Sequence, residues 1–190
     1  ENNVPEDYVS YLDIGREETQ QLLKENTYKL DLIIPRGGEE LISYIRQNTS
    51  IPLIISGRGN NFIYVHNSAD FEMATRIILN GKSRLSVCNA IDKVLFDKNI
   101  PDLAAKMSQL VGKATAMKLE VFGDGYFFEQ YGETKPMESN DMYEKEFLSE
   151  KILFALVDST DEAIQIINKY SGGHSSVIVS GDKDVAEKFQ

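Results

Sequence analysis

The sequence predicts an α/β protein built on a parallel sheet, and three observations carry that prediction. Apolar, strand-like runs are separated by single amphipathic segments of helical period, the pattern of βαβ units. Start and stop signals fall where those segments change: acidic first turns, a capping box, paired glycines. Hydrophobic residues make up 42% of the chain and charged residues 26%, the composition of an ordinary globular protein.

Taken in order, residues 9–14 read as a strand, and Gly15 opens a helix with Glu17 and Glu18 in its first turn, where the dipole favours carboxylates. Residues 28–34 read as a largely buried strand, 39–47 as a helix with Leu41, Ile42 and Ile45 on one face, and 52–55 as a further apolar strand. A second part begins with a strand at 62–65. Ser68 is the expected N-cap of the next helix, whose inner face is Phe71, Ala74, Ile77 and Ile78 and whose end is Asn80-Gly81. Residues 93–96 read as a strand. Pro101 fits a first helical position, with Leu103, Met107 and Leu110 facing inward. Residues 126–141 are polar and acidic and read as an exposed loop. Residues 152–157 form a buried strand, and Ser159-Thr160-Asp161-Glu162 is a capping box for a helix stopped by Gly172-Gly173. A strand at 175–180 and a helix at 182–190 close the chain. Opening on a strand of a sheet already under way, and closing inside a helix, the sequence reads as a fragment.

Composition excludes several classes of function. The chain has 190 residues, 30 acidic and 20 basic, for a net charge of −10. That balance argues against nucleic acid, which is held mainly through Lys and Arg, and against an anionic membrane surface. No apolar run approaches the ~20 residues of a membrane span. One cysteine excludes an internal disulfide and a cysteine-rich zinc site, and fits a reducing, cytoplasmic setting. With two histidines, His66 and His174, a histidine metal cluster is equally excluded, so no metal is expected.

The candidate chemistry centres on Cys88, in Ser86-Val87-Cys88-Asn89-Ala90. A lone cysteine is more often a small buried apolar side chain than a nucleophile. Here the surroundings favour the nucleophile. From residue 73 to residue 90 there is no Asp or Glu, while Arg76, Lys82 and Arg84 fall there and Arg58 lies a little earlier. A cysteine beside positive charge, at a strand edge or a short helix start, is placed where a thiolate becomes usable. A second candidate is Pro35-Arg36-Gly37-Gly38, where a strand turns on two glycines into a helix; free N–H groups there suit an anion, and Arg36 adds a charge-assisted contact. The turn at residues 57–61 is similar and a poor match to a dinucleotide fingerprint. His174 and His66 are best read as structural, and Glu144, Glu146 and Glu150 as a solvated acidic face.

Together these segments resemble one family. Residues 31–38, Asn80-Gly81-Lys82, Ser86-Val87-Cys88-Asn89-Ala90, Glu146-Phe147-Leu148-Ser149 and His174-Ser175 are similar, in order and spacing, to the gamma-glutamyl phosphate reductases (glutamate-5-semialdehyde dehydrogenases) of the aldehyde dehydrogenase superfamily. The resemblance implies an aldehyde-dehydrogenase-like α/β fold: residues 1–57 as part of a Rossmann-type cofactor domain, 58–190 as a cysteine-bearing catalytic domain truncated at its C-terminus. It implies NADPH-dependent reduction of L-glutamyl 5-phosphate to the semialdehyde, a step of proline biosynthesis, with Cys88 as nucleophile. It places Arg36, Gly37 and Gly38 along the NADP cofactor and Glu146 near its nicotinamide ribose. Lys82, Arg84 and Asn89 become candidates for the substrate and its phosphate, and the backbone N–H of Cys88 a candidate oxyanion donor. A homo-oligomer is implied for the complete parent, and weak NADPH binding for this chain by itself.

The sequence also departs from the family. The loop Lys82-Ser83-Arg84-Leu85-Ser86 is one residue shorter than the usual Lys-Thr-Gln-Arg-Pro-Ser and lacks its proline. Ile55 stands where hydrolytic relatives carry a glutamate that activates water. Two other readings stay open: a different aldehyde or acyl-CoA dehydrogenase of the superfamily, and a non-catalytic α/β binding module.

Overall fold

The first helix begins where the sequence caps it. In a computed structural model that describes residues 8–55, 59–131 and 134–190 (Glu39 by its backbone), α1 (Arg16–Glu25) starts after Gly15, whose N–H donates to Glu18 Oε2 at 2.9 Å. It ends on Asn26 in the left-handed region, φ 47°, a conformation asparagine tolerates because its side chain bonds locally. The Asn26 side chain holds both the N–H and the carbonyl of Leu30. α2 (Glu39–Asn48) follows the Gly37-Gly38 turn and packs on α1. Among the described residues of this part, Leu22, Leu23, Pro35, Ile45 and Ile51 are buried.

The strands expected here do not form. Residues 9–14 have no strand partner among the described residues, and Val9 and Tyr11 are more than four-fifths exposed. Residues 28–34 and 52–55 meet in one parallel bridge, Ile33 to Leu53, held by Ile33 N–H to the Pro52 carbonyl and Ile54 N–H to the Ile33 carbonyl. A strand is stabilised by ladders on its edges and cover on its faces. Leu32, Ile34 and Ile54 are exposed, so neither expected strand has that support among the described residues.

From residue 59 the chain builds a single sheet. β1 (Asn61–Val65), α3 (Phe71–Gly81), β2 (Ile91–Asp97), α4 (Leu103–Ala116), β3 (Glu120–Gly123), α5 (Gly125–Gln130), β4 (Lys135–Pro136), β5 (Lys151–Val157), α6 (Thr160–Tyr170), β6 (Ser176–Val179) and α7 (Lys183–Phe189) follow in order. The strand order is β4-β3-β5-β2-β1-β6, and every pairing is parallel. Side chains alternate across a strand, so Ile63, Val65, Val94 and Phe96 enter one core with Phe71, Ile78 and Met107. Phe62, Tyr64 and Leu95 enter the other with Ala163 and Ile167. Burial on both faces is why residues 62–65, 94–96 and 152–157 of the central strands read as apolar runs. The α/β class with parallel strands is thus as the sequence predicts. The chain divides into two compact units, Glu1–Ser56 and Gly57–Gln190.

Three local expectations need correction. The N-cap of α3 is Asp70, which accepts the Met73 N–H at 3.0 Å; Ser68 bonds His66 Nδ1 instead. Pro101 precedes α4 by two residues, because Asp102 takes a left-handed turn, φ 53°, before the helix starts. Residues 126–141 are not an open loop among those described. Asp124 caps α5 through the Phe127 N–H at 2.7 Å, Phe127 is fully buried against Phe96 and Phe154, and a 3-10 turn (Asn140–Tyr143) buries Met142. Six helical residues are too few to show a period, so composition hid them.

Candidate active site

The residues singled out on the second unit gather at the rim where its strands begin. Cys88 lies in a turn, closed by Ala90 N–H to the Val87 carbonyl at 3.0 Å, directly before β2. Of the two settings expected, it has the strand edge and not the helix start, so no helix N-terminus supports it. The thiol is exposed and free, not a core side chain. Arg84 and Asn89, on the same loop, are exposed too.

A buried amide anchors this loop. Asn61, the first residue of β1, is 1% exposed. Its Nδ2 donates to the carbonyls of Cys88 at 2.7 Å, Gly59 at 2.8 Å and Ala90 at 2.9 Å. Its Oδ1 accepts from Ser175 Oγ and lies 3.0 Å from His174 Nδ1. His174 therefore has the structural hydrogen bond that its position suggested. His66, at the opposite end of β1, is held by Ser68 and Ser180.

Glu146 reaches the same point. A methyl group built on Gly59 would overlap the Cys88 carbonyl oxygen and Glu146 Oε1, and would stand 2.8 Å from the Cys88 Cα. Gly59 is thus the space across which the cysteine backbone and the Glu146 carboxylate meet. The Glu146 segment is held from beneath. Phe147 N–H donates to Asp92 Oδ2 at 2.6 Å, and Lys93 Nζ donates to the Lys145 carbonyl and to Asn60 Oδ1. Asn60 Nδ2 in turn donates to the carbonyls of Tyr143 and Tyr170. Lys93 stands 4.0 Å from the centre of the Phe147 ring, a cation–π contact. Burial pushes the Lys93 ammonium down to about 8, with the Asp92 carboxylate opposing the shift.

Lys82 corrects an expectation. It is 1% exposed, and its ammonium bonds Asp92 Oδ1 at 2.6 Å. A cation paired inside the protein is not available to a substrate phosphate. Arg84 and Asn89 are exposed on the loop, together with Ser83 and Ser86. Asn61, Asp92 and Lys93 were not singled out from the sequence. The signal was a charged pair, Asp92-Lys93, at the head of a strand buried on both faces.

On the first unit, Arg36, Gly37 and Gly38 form the turn into α2. Gly37 has φ 156°, which side-chain-bearing residues rarely adopt, and a Cβ on Gly38 would meet nothing within 4 Å. A Cβ on Gly37 would overlap Leu41 Cδ2, and no side chain caps the first turn of this ten-residue helix at Gly38. Arg58 lies outside the described residues. Among the described residues no three His, Cys, Asp or Glu side chains gather as a metal site, and no helix is long and apolar enough to cross a membrane.

No family model matches the chain. Among curated proteins it is 42% identical over 182 residues to the gamma-glutamyl phosphate reductase of Caldicellulosiruptor saccharolyticus, which takes in 93% of this chain and 42% of that protein. The crystal structure of the gamma-glutamyl phosphate reductase of Thermotoga maritima superposes with a TM-score of 0.89 at 32% identity, over 98% of this chain and 44% of that one. The betaine aldehyde dehydrogenase of Staphylococcus aureus, solved with NAD+, superposes with a TM-score of 0.66 at 17% identity over 90% of this chain and 43% of that one, a likeness of fold. The chain spans somewhat under half the length of the curated relatives it matches. On sequence and fold together, nearly the whole chain matches a part of the gamma-glutamyl phosphate reductases, and it has the aldehyde dehydrogenase fold.

Proposed function

We propose that the protein carrying this chain reduces L-glutamyl 5-phosphate to L-glutamate 5-semialdehyde with NADPH, releasing phosphate, and that Cys88 is its nucleophile. The observation that carries this reading is the exposed Cys88 thiol on a loop whose carbonyls are gripped by Asn61, beside the Glu146 carboxylate. Cys88 Sγ attacks the acyl carbon, the carbon–oxygen bond to phosphate breaks, and a thioester forms on the enzyme. A thiolate attacks well and leaves well, which divides one hard step into two. NADPH, when bound, supplies the hydride that takes the acyl carbon to the aldehyde level. The carbon–sulfur bond then breaks, returning the thiolate and releasing the semialdehyde.

Other residues support the same reading. Arg36 and the Gly37-Gly38 turn, at the uncapped head of α2, fit an anionic stretch of the cofactor, and Glu146 suits a ribose hydroxyl, which a carboxylate accepts from. Arg84 and Asn89 are the polar groups presented to an acyl phosphate. By the family resemblance, Ile55 replaces the glutamate with which hydrolytic relatives activate water.

The test is the reverse reaction in the full-length enzyme. Semialdehyde oxidation with NADP+ is expected to require inorganic phosphate, and coenzyme A is not expected to replace it. Cys88→Ser is expected to lower kcat by about 10³-fold or more. Oxidation indifferent to phosphate but driven by coenzyme A sinks this assignment and favours an acyl-CoA dehydrogenase of the same fold.

A further inference from the structure

The chemistry above leaves one buried feature without a role. The loop that carries Cys88 runs from the end of α3 to the start of β2. Lys82 is the first residue past α3, Asp92 the second residue of β2, and each is 1% exposed. Their 2.6 Å ion pair closes the base of the loop. The register of β1 against β2 slips between Asn61 and Phe62, so that Asp92 is the unmatched residue of β2; such a bulge re-aims a side chain. The second carboxylate oxygen of Asp92 accepts the Phe147 N–H, the residue after Glu146. Lys93 stands 3.7 Å from that same oxygen and covers the Phe147 ring.

We propose that Asp92 is a positioning residue, one carboxylate that fixes the Cys88 loop and the Glu146 segment relative to each other. The proposal rests on the functional reading above for its link to catalysis. Burying an ion pair is costly, and well-packed apolar side chains hold a fold at least as well. What the carboxylate adds is direction: each oxygen serves one of two segments that meet at Gly59. Misplacing a reacting group by an ångström costs on the order of 10²-fold in rate, so a carboxylate acting on both segments has leverage without touching substrate.

Two double variants of the full-length enzyme separate this from a purely structural role. Lys82→Met with Asp92→Asn removes both charges but leaves an acceptor for Phe147 N–H. Lys82→Met with Asp92→Leu removes that acceptor as well. Peptide-resolved hydrogen exchange is expected to speed up in residues 83–90 in the first variant, and in both 83–90 and 144–147 in the second, with the remaining strands as protected as before. In turnover, kcat is expected to fall about 10-fold and about 100-fold respectively, with KM for the semialdehyde within about twofold. Unchanged exchange in both segments, or unchanged kcat, overturns the proposal, and the first variant decides it if the second does not fold. Exchange is indifferent to which reaction the enzyme performs. A phosphate-independent enzyme with these exchange changes therefore refutes the functional assignment and leaves the positioning role standing.

Discussion

Gly59 has no side chain because the space for one is filled: the Cys88 backbone on one side and the Glu146 carboxylate on the other already touch where a Cβ would go. Gly59→Ala must push one of them away. It is expected to reduce kcat by about 10²-fold while the circular dichroism spectrum stays that of the parent; a variant of parental kcat would show that this contact is not needed. Lys93 makes a different prediction. Its folded-state value of about 8 lies below the ordinary 10.5. Below pH 8 the folded protein bears the whole cost of burying the cation. Between about 8 and 10.5 the unfolded chain holds a proton that the folded chain has lost, so this residue makes stability rise with pH across that window. In matched denaturant titrations, Lys93→Met is expected to lack that rise; an identical pH dependence in both proteins would exclude Lys93 as its source.

At the scale of elements, what the sequence reveals is what is local. α3 and α6 are legible because their apolar faces repeat over eleven residues each; the Ser159 cap of α6 is where the sequence puts it, while α3 is capped by Asp70 and not by Ser68. β1 and β5 are legible as apolar runs behind one polar residue, and β2 by its stretch at residues 94–96. The short α5 is not, since a six-residue helix owes its existence to the Asp124 cap and the burial of Phe127 rather than to a pattern. The strands expected at 28–34 and 52–55 fail for the complementary reason: their apolar character is real, but a strand is made by neighbours. The site divides the same way. Cys88 and Arg84 are chemically conspicuous in sequence, whereas Asn89 and Glu146 stand out only through the family resemblance. Asn61 is not, because its contacts with Cys88 and His174 join residues 27 and 113 positions apart, a distance that only the parallel pairing of β1 with β2 and β6 closes.

Over the whole molecule the two units differ in how much they bury. Among the described residues, the buried apolar clusters all lie in the unit that begins at Gly57, whereas the first unit buries Leu22, Leu23, Pro35, Ile45 and Ile51. Local stability follows buried contact. Hydrogen exchange of the 190-residue chain is expected to show α1 and α2 exchanging faster than β1, β2 and β5 by at least about 10-fold; equal protection would mean that the two units open together. The placement of Cys88 before a strand has a consequence of its own. Ligands of open α/β sheets usually bind where strands end and helices start, at the positive poles of the helices. Cys88 sits at the other rim, where α3 and α6 terminate and the Tyr170 carbonyl is exposed to Asn60. The helices bring partial negative charge to that rim, and the group sealed beneath it, two lysines around the one carboxylate of Asp92, sets a net positive charge against it.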